Sequence, residues 1–165
     1  MANLEAFLKS NLAKAKRIAV LGIGSDLRGD DAAGTIAAEA LAKLVKKGSA
    51  AAKRVKIFLG STAPENLTGE VKKYKPTHVI IIDTVEMKEK AGTILVLNPR
   101  EVGGGVSFST HVMPARILAD YLQASLECDV TLIGIQPASL KFGTPASKSV
   151  KSSALHIASA IRKAI

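Results

Sequence analysis

At 165 residues the chain is long enough to bury one core, and with 47% apolar and 22% charged residues it is not a disordered polypeptide. Aromatics make up only 4% and tryptophan is absent, which argues against a base-stacking surface for nucleic acid. The formal net charge of +9 is spread through Lys14, Lys16 and Arg17, then Lys43, Lys46 and Lys47, then Lys53, Arg54 and Lys56; interleaved with helix-type apolar positions and accompanied by no nucleic-acid motif, it reads as solvated helix faces.

Asn3–Lys16 carries Leu4, Phe7, Leu8 and Leu12 at helical spacing and reads as a short amphipathic helix. It lacks the apolar core and cleavage site of a signal peptide. Arg17–Ile23 reads as a buried strand, ending in Gly22-Ile23-Gly24-Ser25 and a polar turn that reaches Gly29. Ala32–Lys47 is expected to be a helix with Ile36, Ala40, Leu41, Leu44 and Val45 on one face. Val55–Leu59 is a strand, followed by the turn Gly60-Ser61-Thr62 and a helix over Pro64–Tyr74. Pro64 suits a first-turn position and Glu65 the positive helix start.

The β-branched run His78–Ile82 has the pattern of a central strand covered on both faces, with Asp83 at its C-terminal end. Thr93–Leu97 follows after about ten residues, too few for a helical crossover, so this strand is expected to run antiparallel. Gly103-Gly104-Gly105 reads as a loop, and a helix through Ile117, Leu118, Tyr121 and Leu122 comes next. Cys128 is the only cysteine, which rules out an intramolecular disulfide or a thiolate cluster. It precedes the strand Thr131–Ile135 and reads as structural. The closing helix carries Leu155, Ala158, Ile161 and Ile165. No apolar run approaches the ~20 residues of a membrane span, so no membrane insertion and a cytoplasmic location are expected. The alternation predicts an α/β three-layer sandwich: an open, mostly parallel five-stranded twisted sheet with helices on both faces, in one domain over residues 1–165.

Ligands of such sheets bind outside the carboxyl ends of the strands. Three polar features fall there: Gly29-Asp30-Asp31 after the first strand, Asp83 after the third, and Thr110-His111-Val112-Met113-Pro114 at a later helix start. Two carboxylates and one imidazole converging would make an incomplete O,O,N site for a divalent cation, with positions left open. Each residue also has a structural reading. Asp30 suits the N-cap of the following helix, Asp31 a structural acid, Asp83 a turn cap, and His111 a residue packed at its helix start. His78 and His156 read as structural.

Gly24-Ser25-Asp26-Leu27-Arg28-Gly29 has P-loop glycine spacing, but Asp30 and Asp31 stand where Lys and Ser/Thr belong. Two acids there repel a phosphate. Gly105-Val106-Ser107-Phe108-Ser109 lacks the final glycine of a nucleophile elbow. By elimination, hydrolysis on this chain points to carboxylates and a metal.

The same positions carry a family resemblance. The chain resembles the hydrogenase-maturation endopeptidases, in particular the branch serving formate-hydrogenlyase-type hydrogenases. The matching stretches are Gly22-Ile23-Gly24 through Gly29-Asp30-Asp31-Ala32-Ala33-Gly34, Ser61-Thr62-Ala63-Pro64-Glu65-Asn66, Ile82-Asp83-Thr84-Val85-Glu86-Met87, Ser109-Thr110-His111-Val112-Met113-Pro114 and Leu132-Ile133-Gly134-Ile135-Gln136-Pro137. They come in the family's order. The resemblance implies an endopeptidase that removes the C-terminal extension of a nickel–iron hydrogenase large-subunit precursor after nickel insertion. It places the family's nickel-contacting residues on Asp31, Asp83 and His111, and implies that nickel is presented by the substrate rather than held permanently. Ser25 departs from the family's usual asparagine, and residues 1–16 stand as an N-terminal helical extension. Two other functions remain open at this point: a non-catalytic metal-binding assembly factor for the same subunit, and a small metal-dependent hydrolase.

Overall fold

The computed structural model describes residues 2–97 and 112–165. In chain order the elements are α1 (Ala2–Leu12), β1 (Ile18–Ile23), a 3-10 turn (Gly29–Ala32), α2 (Ala33–Leu44), α3 (Ala50–Arg54) and β2 (Val55–Ser61). There follow a second 3-10 turn (Pro64–Leu67), α4 (Thr68–Tyr74), β3 (His78–Thr84), β4 (Ile94–Leu97), α5 (Val112–Leu126), β5 (Asp129–Ile135) and α6 (Lys148–Ala164). The strands form one sheet in the order β2-β1-β3-β5-β4. All neighbours run parallel except β4, which pairs antiparallel with β5 from Ile94↔Ile135 to Leu97↔Leu132. The short connection after β3 forces that reversal, as its length predicts.

Strand alternation splits the core in two. Ile18 and Val20 of β1 join Ile80 and Ile82 of β3 under Leu4, Leu8 and Leu12 of α1, Leu41 of α2, and Ile157 and Ile161 of α6. Ala19, Leu21, Val79 and Ile81 face the other way, onto Val71 of α4 and Leu118 and Leu122 of α5. The three-layer architecture is the expected one. Alpha1 buries Leu8 and Leu12 completely, so the N-terminal helix is part of the core rather than an appendage to it.

Several local expectations are corrected. The helix expected over Ala32–Lys47 is shorter, and its buried face is Ala33, Gly34, Ala37, Ala38 and Leu41 while Leu44 is exposed. The cause is a close approach: a Cβ on Gly34 would lie 2.1 Å from the Ile82 carbonyl oxygen and 2.3 Å from that of Ile23. Only small residues fit against strands that near. The helix expected over Pro64–Tyr74 begins as a 3-10 turn, and α3, capped by Ser49 Oγ accepting from Ala52 N, was not anticipated. On α5 and α6 the residues Ile117, Tyr121 and Leu155 face solvent, while Leu118, Leu122, Ala158 and Ile161 are buried as expected. The Gly103-Gly104-Gly105 loop lies outside the described residues.

Candidate functional site

Beta1 leads toward β2 on one side, and β3 lies on its other side, with Gly22 paired to Ile82. The carboxyl ends of β1 and β3 therefore flank the switch point, where a parallel sheet leaves a crevice. Asp31 follows β1 and Asp83 closes β3, so the topology brings these two acids to one place.

Gly24 makes the turn after β1 tight. Its φ is +134°, and a Cβ there would stand 1.7 Å from the Asp31 carbonyl oxygen, so a side chain is excluded. The chain then doubles back, and the Ser25 backbone N–H donates to Asp31 Oδ2 at 3.1 Å. On the Ser25 side that bond uses main chain only. The serine that departs from the family's asparagine therefore leaves the support of Asp31 intact, its own Oγ accepting from Leu27 N at 3.3 Å. Asp31 is half-buried, while Asp83 is buried, and the Thr84 N–H donates to Asp83 Oδ1 at 2.7 Å. Burial pushes the Asp83 carboxyl up to about 7; the Thr84 bond opposes this, and the charge of Asp31 adds to it. The two carboxylates feel one another across the crevice.

Asp30 is not the helix cap that its position suggested. The N-cap of α2 is Ala32, with no side-chain bond, and the Asp30 carboxylate reaches across to the loop between β5 and α6. Oδ2 accepts from Ala138 N at 2.7 Å, Ser139 N at 3.1 Å and Ser147 Oγ at 3.0 Å, and Oδ1 from Ser147 N at 2.5 Å. Burial alone would raise this carboxyl, but the bonds from Ser147, Ala138 and Ser139 together hold it below the usual range. The Asp30 carbonyl accepts from Thr84 Oγ1 at 2.9 Å, fastening the 3-10 turn to the residue beside Asp83. Adjacent acids thus diverge: Asp30 faces inward as a brace, Asp31 faces the crevice.

A second brace was also invisible in the sequence. Buried Gln136 accepts from Met87 N at 2.6 Å and Glu89 N at 3.3 Å, and donates to Glu86 Oε1 at 3.0 Å. It holds the segment after β3 against the end of β5. Both residues lie in stretches that carried the family resemblance, which was the available signal, but partners more than 45 residues away in the chain leave no local pattern.

Of the three expected ligands, Asp31 and Asp83 are brought together, while His111 lies outside the described residues. Among the described residues no group of three or more His, Cys, Asp or Glu side chains forms a metal cluster. His78 is buried with Nε2 2.9 Å from Thr131 Oγ1, and burial lowers its pKa. His156 lines a separate cavity of about 570 Å3 with Leu4, Phe7, Ile94 and Val96. Cys128 is buried, its Sγ 4.0 Å from the Leu122 carbonyl oxygen. His78 and Cys128 are packed in the interior, in keeping with the structural role read for them from the sequence.

The sequence pattern of the hydrogenase maturation protease family matches residues 38–164, a span that includes Asp83 and His111 and begins after Asp31. A crystal structure of a nickel–iron hydrogenase maturation protease from Thermococcus kodakarensis superposes with a TM-score of 0.83 at 32% identity, over 96% of this chain and 97% of that one. A Methanocaldococcus jannaschii protein provisionally named a hydrogenase maturation protease is 31% identical over 90% of this chain and 88% of its own. The hydrogenase 3 maturation protease of Escherichia coli is 30% identical over 80% of each chain.

Proposed function

The chain belongs to the hydrogenase maturation protease family, and from that premise we infer that it is an endopeptidase trimming the C-terminal extension of a hydrogenase large-subunit precursor. The observation that carries the chemical reading is the meeting of Asp31 and Asp83 at the switch point of the sheet. His111, the residue before α5, is the third member of the proposed set. Carboxylates and an imidazole suit a borderline divalent ion such as nickel, and three donors leave its coordination incomplete. In keeping with the family resemblance, the ion is taken to belong to the substrate: a nickel already seated in the precursor would accept Asp31, Asp83 and His111 as its remaining ligands.

Anchoring through that ion places the scissile peptide beside the two carboxylates and removes the translational freedom of the encounter. Desolvation in its strand end raises the Asp83 carboxyl to about 7 in the metal-free enzyme; the arriving ion would hold it ionised as a ligand, and the metal or a carboxylate would then activate the water. The reaction is assigned to the cytoplasm, where the Cys128 thiol stays reduced.

The test is incubation of nickel-loaded precursor with the enzyme, followed by intact mass. Wild type should remove one C-terminal peptide. Asp31→Asn, Asp83→Asn and His111→Ala should each slow that cleavage by about 100-fold or more, the scale expected when a positioning ligand is lost. Variants that fold and cut at the wild-type rate overturn the ligand assignment.

A further inference from the structure

Leu27 lies in the turn that returns Asp31 to the sheet and is 58% exposed, while Phe142, between β5 and α6, is 71% exposed. Their loops are laced together. Gly143 N donates to Leu27 O at 2.8 Å, Gly29 N to Thr144 O at 3.0 Å and Asp30 N to Ser139 O at 2.9 Å. The Asp30 carboxylate adds its four bonds to Ala138, Ser139 and Ser147. A leucine and a phenylalanine are thus held in water on loops that are already ordered. Ordering lowers the entropy cost of docking there, and an exposed aromatic is a typical anchor of a protein interface. The charged side chains exposed on the same two loops and at the start of α6 are Arg28, Lys141 and Lys148, against Asp26 alone. The balance is basic, as it is for the whole chain at +9.

We propose that the Leu27–Phe142 ridge is a docking surface for the folded body of the protein substrate, receiving an apolar patch rimmed by acidic side chains. The inference rests on the endopeptidase reading. The occupant follows from continuity with the site: the turn bearing Leu27 is the one whose Ser25 N–H holds Asp31. A protein seated on the ridge therefore presents its adjoining segment to the two acids. A small-molecule substrate has no use for such a ridge; a protein substrate gains affinity and register from it.

Steady-state cleavage of nickel-loaded precursor tests this with the double variant Leu27→Ser/Phe142→Ser and with Phe142→Ser alone. The double variant should raise KM roughly tenfold, as loss of an interface anchor does, with kcat within about twofold. Phe142→Ser should raise KM by a smaller factor, and both should keep the wild-type Tm, because the replaced side chains are exposed. Leu44→Ser, also exposed but at the far end of α2, should leave KM unchanged. An unchanged KM in both ridge variants, or a fall in kcat alone, overturns the docking surface while the endopeptidase stands. A wild-type enzyme that leaves the precursor uncut overturns the endopeptidase reading and the ridge with it.

Discussion

The Asp30 carboxylate accepts four hydrogen bonds in a buried setting, so exchanging one oxygen for an amide NH2 sets donor against donor. Asp30→Asn should lower stability by about 2–4 kcal/mol, the cost of frustrating charge-assisted buried bonds, read as a fall in urea midpoint. The stability held by this group is present above the ordinary carboxylate range and is lost as pH falls through its lowered native pKa. His78 gives a second pH signature. Burial lowers its native pKa below the usual 6.5, so the neutral ring carries no penalty above that value, and stability drains as pH falls from there toward the native pKa. His78→Gln should flatten that part of the stability–pH curve, measured by Tm between pH 7 and 5; an unchanged slope rejects the assignment. At this scale the sequence was partly legible. Asp31 and Asp83 could be placed at strand ends, but an Asp-Asp pair does not reveal which acid turns inward, because Asp30's partners Ala138 and Ser147 are distant in the chain.

Alpha2 shows why helix faces were harder to read than strands. Counting large apolar residues favoured the side bearing Ile36 and Leu44, whereas packing distance selected the small-residue side. Gly34 makes this testable. In an open helix Gly→Ala stabilises by about 0.5–1 kcal/mol, yet here the added Cβ meets the Ile82 and Ile23 carbonyl oxygens. Gly34→Ala should therefore destabilise by about 1–3 kcal/mol, as overpacking does, and should weaken cleavage by displacing α2 and the turn ahead of it. A rise in Tm contradicts this packing. On α5 the rows Ile117/Tyr121 and Leu118/Leu122 share one spacing, so periodicity alone could not tell the wet row from the dry one. The strands were clearer, since the runs in β1, β3 and β5 are long, apolar and β-branched, and the short gap after β3 admits only an antiparallel β4.

Across the whole molecule, two helical layers bury the sheet while its carboxyl edge stays free to carry chemistry. That edge gathers Asp31, Asp83 and the braces Asp30 and Gln136. The strand order dictates this gathering, which is why the place of the two candidate acids could be read before their surroundings. In the proposed reading its completion depends on a partner: two described acids and one further histidine leave the coordination sphere of nickel unfilled, and the precursor supplies the remaining protein donors. The most direct measurement offers nickel-loaded and nickel-free precursor to the wild-type enzyme at equal concentration and follows the C-terminal extension by intact mass. The loaded form should be trimmed and the nickel-free form left whole; equal trimming of both would contradict recognition through the substrate's nickel.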